Sequence, residues 1–105
     1  MSIPVEEFAT KIASEDYVVL DVRTPEEYAS GRLAQDAVNV NFYDADFRDQ
    51  IKSLSRDAKY LVYCRSGNRS GETLKIMKEL GFAHVEDLDG GINAWQQAGK
   101  TLIKN

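Results

Sequence analysis

One cysteine, one histidine, one tryptophan and two prolines are all that this chain of 105 residues holds of those types. A single cysteine, Cys64, allows no internal disulfide. With one histidine and no Cys-x-x-Cys pair there is no pattern for a metal site, and no cofactor is expected. A free thiol survives in a reducing compartment, so the cytoplasm is the expected home. No apolar run approaches the ~20 residues that a membrane helix needs. The N-terminus lacks the basic region and apolar stretch of a signal peptide. Neither membrane insertion nor secretion is therefore expected. The 13 basic residues are outnumbered by 17 acidic ones, giving a net charge of −4. The broad basic face that nucleic-acid binding wants is missing. The seven glycines are scattered, and no repeat, low-complexity tract or linker divides the chain. Residues 1–105 are expected to form a single domain.

What is present is an alternation of strand and helix signals. Val5, Phe8, Ala9 and Ile12 follow the spacing of an amphipathic helix, with Glu6 and Glu7 in its first turn. Tyr17-Val18-Val19-Leu20 and Tyr60-Leu61-Val62-Tyr63 are continuous apolar runs, as expected of strands covered on both faces. Ala37 to Val40 reads as a second, short strand. Val85 to Leu88 reads as a further one, made short or edge-like by Glu86 and Asp87. Thr24-Pro25-Glu26-Glu27 is a helix start, with Thr24 as cap, Pro25 in the first position and Glu27 closing a capping box. That helix stops at Gly31. Further helices are predicted from about Asp44 to Leu54, from Ser70 to Leu80, and from Ile92 to Ala98. Trp95 on the last is a core residue, and His84 is an exposed or strand-start residue with no assigned role. The pattern predicts an α/β domain with a mostly parallel sheet of about five strands and helices on both faces. Such sheets bind ligands beyond the carboxyl ends of their strands, which is where Cys64 lies.

Cys64 opens the segment Cys64-Arg65-Ser66-Gly67-Asn68-Arg69-Ser70, between an apolar strand and a helix. A lone cysteine in a small protein often serves only as a small buried hydrophobe. Here the flanking arginines and glycine point to chemistry. A thiol of ordinary pKa, ~8.5, is only a few per cent thiolate at pH 7. Holding most of it as thiolate takes roughly 2.7 kcal/mol of preference for the charged form. A helix N-terminus and one or two hydrogen bonds to the charged sulfur are enough. Gly67 permits positive φ, and Asn68 tolerates the left-handed region. A tight turn of amides would make an anion nest. Arg65 and Arg69 add planar donors for an oxyanion, although either could instead pair with an acidic neighbour.

This loop resembles the active-site loop of the rhodanese (sulfurtransferase) family. Three other segments resemble that family in the same order. Leu20-Asp21-Val22-Arg23-Thr24-Pro25-Glu26-Glu27-Tyr28 is similar to its D-V-R-x-x-x-E-[FY] segment. Gly31 through Asn39 is similar to G-H-I-x-G-A-x-N, and Leu88 through Trp95 to L-x-G-G-x-x-A-W. Arg32 stands in place of the usual histidine, the Ala34-Gln35-Asp36-Ala37 stretch is one residue longer, and Asn41 replaces a common proline. These departures bear on the local turn and on any partner surface there.

The resemblance implies a rhodanese-like fold and a persulfide enzyme. The Cys64 thiolate would attack the outer sulfur of thiosulfate, or of another persulfide donor, and pass the sulfur to cyanide or to a thiol. A basic residue directly after the cysteine goes with thiosulfate in the family, whereas Cys-Gly-Ser/Thr-Gly loops go with 3-mercaptopyruvate. By the same resemblance Arg65, Ser66, Gly67, Asn68 and Arg69 would bind the substrate. The amides of residues 65 to 69 would hold the sulfur, and both arginines the sulfite oxygens. Asp21 and Arg23 would brace the site or belong to a purely structural salt-bridge network, with Arg23 expected to pair with Glu27. The implied partners are a small anionic sulfur donor and a thiol acceptor, either a small thiol or a thioredoxin-like protein. Two other readings stand beside this one. One is a non-turnover persulfide carrier or partner-docking module. The other is a cysteine phosphatase or arsenate reductase, against which the spacing speaks, because tyrosine phosphatases use Cys-x5-Arg and this loop has four residues between Cys64 and Arg69.

Overall fold

The computed structural model describes residues 1–104. In chain order the elements are β1 (Ser2–Ile3), α1 (Val5–Ala13), β2 (Val18–Asp21), α2 (Pro25–Ser30), β3 (Val38–Asn39), α3 (Phe47–Lys52), β4 (Tyr60–Tyr63), α4 (Asn68–Glu79), β5 (Val85–Leu88) and α5 (Gly91–Gln97). The five strands form one sheet in the order β1-β5-β4-β2-β3, and every pair is parallel. β4, whose four residues are all buried, takes the centre. This is the place expected of a continuous apolar run, since a central parallel strand is covered on both faces.

The pleat of β4 divides the core in two. Tyr60, Val62 and Cys64 point to one face and pack with Phe47 and Ile51 of α3 and Leu74 and Met77 of α4. Leu61 and Tyr63 point to the other, among Phe8 of α1 and Ile92 and Trp95 of α5. Period-two alternation therefore aims Cys64 at the α4 side of the sheet. Trp95 is a core residue and His84 is exposed, as the sequence predicts.

Two strands differ from expectation. β1 was not anticipated; it is only two residues long and pairs with β5 through Ser2↔Asp87 and Ile3↔Leu88. Because β1 covers it, β5 is an interior strand rather than an edge. Asp87 is tolerated there because both carboxylate oxygens have hydroxyl partners, Ser2 Oγ at 2.7 Å and Ser70 Oγ at 2.8 Å. α3 is shorter than the predicted helix, since Asp44 and Asn41 form turns ahead of it. The additional residue near Arg32 is absorbed at the surface. Gln35 and Asp36 are exposed between buried Ala34 and Ala37, and Arg32 makes an antiparallel bridge to Ile103.

At the carboxyl end of β2, Asp21 is fully buried and saturated with donors. It accepts from the Arg23 backbone N–H at 2.9 Å, from Arg23 Nε and Nη2 at 3.0 and 2.7 Å, and from the Tyr63 hydroxyl at 2.8 Å. Arg23 Nη2 also donates to the Gly31 carbonyl. Burial alone would lower the Arg23 pKa, but its bonds to Asp21 outweigh that and raise it. Burial pushes the Tyr63 phenol up, helped by the negative Asp21. This knot ties β2 to the residue immediately before Cys64. Asp21→Ala leaves a buried guanidinium and a buried hydroxyl without their acceptor, and is expected to cost about 3–5 kcal/mol. Urea unfolding monitored at Trp95 measures it; a midpoint unchanged from wild type would show the knot to be dispensable.

Candidate active site

β2 leads outward to β3, while β4 leads to β5 on the other side. The two chain paths diverge beyond the carboxyl ends of β2 and β4, the switch point where parallel sheets open a crevice. Cys64 is the first residue past β4. Gly67 caps α4 with φ +108°, so only Arg65, Ser66 and Gly67 join Cys64 to the helix. That turn folds the first amides of α4 back onto the sulfur. Gly67 N–H donates to Cys64 Sγ at 3.1 Å and Ser70 N–H at 3.4 Å. The predicted cradle was the amides of residues 65 to 69; the two that reach Sγ belong to Gly67 and Ser70, because the helix already begins at Asn68. Both bonds favour negative charge on the sulfur. Cys64 itself is only 1% exposed.

The loop is held from behind by α5. The carbonyls of Cys64 and Arg65 accept from the N–H groups of Ile92 at 3.0 Å and Asn93 at 3.1 Å. So close an approach requires glycine at position 91. A Cβ there would stand 2.5 Å from the Arg65 carbonyl oxygen and 2.6 Å from that of Cys64, and Gly91 has φ +59°. The Gly90-Gly91 pair, read from sequence as a turn, is thus a seat for the cysteine loop.

The two loop arginines differ. Arg65 is exposed, and among the described residues no carboxylate pairs with it. Arg69 is half-buried, lies 5.5 Å over the Tyr43 ring, and makes a two-pronged pair with Glu27, Nη1–Oε1 at 2.8 Å and Nη2–Oε2 at 3.1 Å. This corrects the expected Arg23–Glu27 pair. Arg23 turns inward to Asp21, and Glu27 is left to face Arg69 across the crevice. Glu27 also closes the α2 capping box with Thr24, as predicted. Ser66 on the loop and Asn68 at the start of α4 are exposed.

A cavity of about 380 Å³ opens beside the loop, lined by Arg23, Glu27, Arg65, Asn93 and Gln96 among others. A slightly larger one, about 400 Å³, lies at the amino ends of the strands around Lys11, Tyr17, Lys59 and His84, away from Cys64. The smaller cavity, not the larger one, adjoins the cysteine loop through Arg65. Ser70, Glu27, Gly91 and Asp87 were not among the predicted site residues. The available signals were an ionisable residue inside a short apolar strand, for Asp87, and a hydroxyl directly after Arg69, for Ser70.

The hydrogen bonds from Arg69 hold the Glu27 carboxyl down to about 2, from an ordinary 4.5. A carboxyl lowered on folding contributes stability above its unfolded pKa and loses it as pH falls through the folded one. The Glu27–Arg69 pair should therefore weaken from about pH 4.5 downward and vanish near pH 2. Thermal unfolding of wild type and Glu27→Gln should show wild type more stable at neutral pH, by about 3 kcal/mol at most. The difference should close as the solution is acidified across that window. A gap that stays constant with pH would contradict the pairing.

Comparison with known proteins gives a consistent picture. The family model described as Rhodanese-like domain matches residues 4–98. The putative sulfurtransferase YtwF of Bacillus subtilis is 38% identical over 93 residues, covering 89% of this chain and 84% of that protein. The thiosulfate sulfurtransferase GlpE of Pseudomonas entomophila is 34% identical over 101 residues, covering 94% and 90%. Among solved structures, a rhodanese-related protein from Thermoplasma volcanium superposes with a TM-score of 0.86 at 34% identity, covering 99% of this chain and 98% of that one. With its parallel five-stranded sheet and its cysteine loop at the switch point, the chain belongs to the rhodanese-like domain family.

Proposed function

We propose that this protein is a sulfurtransferase that moves sulfane sulfur from thiosulfate, or another persulfide donor, to cyanide or a thiol through a persulfide on Cys64. The observation that carries this is the sulfur itself, seated at the end of β4 under the Gly67 and Ser70 amides. In the first half-reaction the Cys64 thiolate attacks the outer sulfur of thiosulfate. A Cys64 S–S bond forms, the S–S bond of thiosulfate breaks, and sulfite leaves with the electron pair. In the second, cyanide or a thiolate attacks the outer sulfur of the persulfide, and Cys64 recovers its thiolate. Both steps bring anions together. At ~4 Å a pair of unit charges repels by about 4 kcal/mol at an effective dielectric near 20. Exposed Arg65 offsets this by binding the sulfite oxygens. Arg69, clamped by Glu27, contributes its field and a fixed loop more than free donors.

Similarity to relatives named sulfurtransferase and thiosulfate sulfurtransferase supports the reading. A buried sulfur favours a slim donor over a bulky one. The acceptor is a small thiol or a thioredoxin-like protein, and a reducing compartment such as the cytoplasm keeps the single thiol free. Among the described residues no helix is long and apolar enough to cross a membrane.

Treatment with thiosulfate should add one sulfur to the intact chain by mass spectrometry, and Cys64→Ala should take up none. Thiosulfate should be turned over in preference to 3-mercaptopyruvate. Arg65→Ala should raise KM for thiosulfate about 10- to 100-fold, the loss of one charged hydrogen bond. Sulfur loading without turnover would make the protein a carrier. No loading from any donor, or full activity in Cys64→Ala, would overturn the proposal.

A further inference from the structure

Behind Cys64 runs a chain of polar side chains that sulfur transfer as described above leaves unused. Ser70, fully buried on α4, has its Oγ 3.6 Å from Cys64 Sγ and 2.8 Å from Asp87 Oδ2. Its third contact, to the Gly67 carbonyl, is longer at 3.3 Å. A hydroxyl has one proton to give. The shortest contact and the charged acceptor is Asp87, so the Ser70 proton points there. The Ser70 lone pairs then face the sulfur, and the thiol proton of Cys64 points into Ser70 Oγ. The Gly67 and Ser70 amides also donate to Sγ.

Asp87 is 2% exposed in the middle of an interior strand. Its second oxygen takes the Ser2 hydroxyl, and among the described residues no cation bonds to it. A buried carboxylate held by hydroxyls alone is a poor way to fill a sheet position whose neighbour in register is Val62. Nor does another charge account for it. Among the residues packed around β5, Arg69 on α4 is taken by Glu27, Arg23 after β2 by Asp21, and Lys11 of α1 by Glu86. The remaining ionisable side chains of α4 are exposed, as are Arg65 and Asp89. α5 and β1 bring no ionisable side chain. The two tyrosines of β4 give their protons to Ser55 and Asp21.

We propose that Ser70 is a further catalytic residue, in contact with the reacting sulfur, and that Asp87 is the positioning residue behind it, the two forming a proton relay for Cys64. As the thiol ionises, its S–H bond breaks and an O–H bond forms at Ser70. In the same movement the original Ser70 proton passes to Asp87 Oδ2. The resulting carboxylic acid donates back to Ser70 Oγ, whose hydroxyl now turns to donate to the thiolate. Before and after the transfer Cys64 and Asp87 together carry one negative charge, so the thiolate forms without a carboxylate facing it. When the persulfide is discharged and the thiol reprotonates, the proton returns by the same path. The relay deepens the sulfurtransferase reading, but it concerns the free thiol and is tested without a sulfur donor.

The test is the rate of Cys64 alkylation by iodoacetamide as a function of pH, in the full chain. With the relay, two coupled groups share one proton, and wild type should titrate in two steps. A reactive plateau should extend to the acid side of ordinary thiol ionisation. Asp87→Asn keeps the shape but cannot take the proton, and Ser70→Ala breaks the path. Both should show a single step and react about 10- to 100-fold more slowly near about pH 6. Ser70→Thr, which keeps the hydroxyl, should keep the plateau. A single-step profile in the wild-type chain overturns the relay whether or not the variants fold. So do Asp87→Asn and Ser70→Ala profiles of wild-type shape, which would leave both residues a structural role. A plateau in a chain that takes no sulfur from any donor would instead uphold the relay and defeat the sulfurtransferase assignment.

Discussion

The site depends on which way two peptide groups face. The carbonyls of Cys64 and Arg65 turn toward α5, where the Ile92 and Asn93 amides receive them. Tied to α5 by both carbonyls, the loop turns at Gly67, and the Gly67 and Ser70 amides reach the sulfur. Reversing the peptide that carries either of those amides would put an oxygen against the sulfur where a donor now stands, which disfavours a thiolate. The orientation holds because α5 can come close, and it can come close because position 91 has no Cβ. A backbone contact between two segments distant in sequence therefore precedes every electrostatic feature of the site.

The charged residues fall into a scaffold and a working set. Asp21 consumes the Arg23 guanidinium together with the Tyr63 hydroxyl, and its burial leaves nothing for a ligand. Glu27 grips Arg69 through both prongs, so this arginine is oriented before any substrate arrives. Breaking a buried pair by removing one member is far more damaging than the pair's net worth, because an uncompensated charge remains. Of the three arginines Arg23, Arg65 and Arg69, only Arg65 is exposed and without a carboxylate among the described residues. On an acidic chain one such guanidinium beside the sulfur is a local reversal of sign, which is what an anionic donor would find.

Local signals were legible and distant ones were not. The buried strands β2 and β4 could be read because four apolar residues in a row need no partner to announce themselves. The Thr24–Glu27 capping box and the glycine stop of α2 were legible for the same reason. The spacing from Cys64 to Arg69 is a property of one short loop, so the candidate nucleophile and its neighbours could be named from it. β1 was illegible because two residues make a strand only by virtue of β5, some 85 positions away. Asp87 read as a strand weakener since its hydroxyl partners, Ser2 and Ser70, lie elsewhere in the chain. Glu27 was assigned to Arg23 by proximity along a helix, yet its partner is 42 residues on. In each failure the missing fact was a tertiary neighbour rather than a propensity.

The tightness of the loop bears on what the sulfur can serve. Only three residues separate Cys64 from the first helical residue, and Gly67 takes the positive φ that makes so short a link possible. The helix start is consequently drawn up against Sγ itself, its amides bonded to the sulfur instead of ringing an oxyanion beyond it. One further residue in the link would withdraw the helix and open a wider ring, suited to a tetrahedral anion. A cradle closed on a single soft atom, buried and backed by a hydroxyl–carboxylate pair, favours chemistry in which that atom gains one more sulfur.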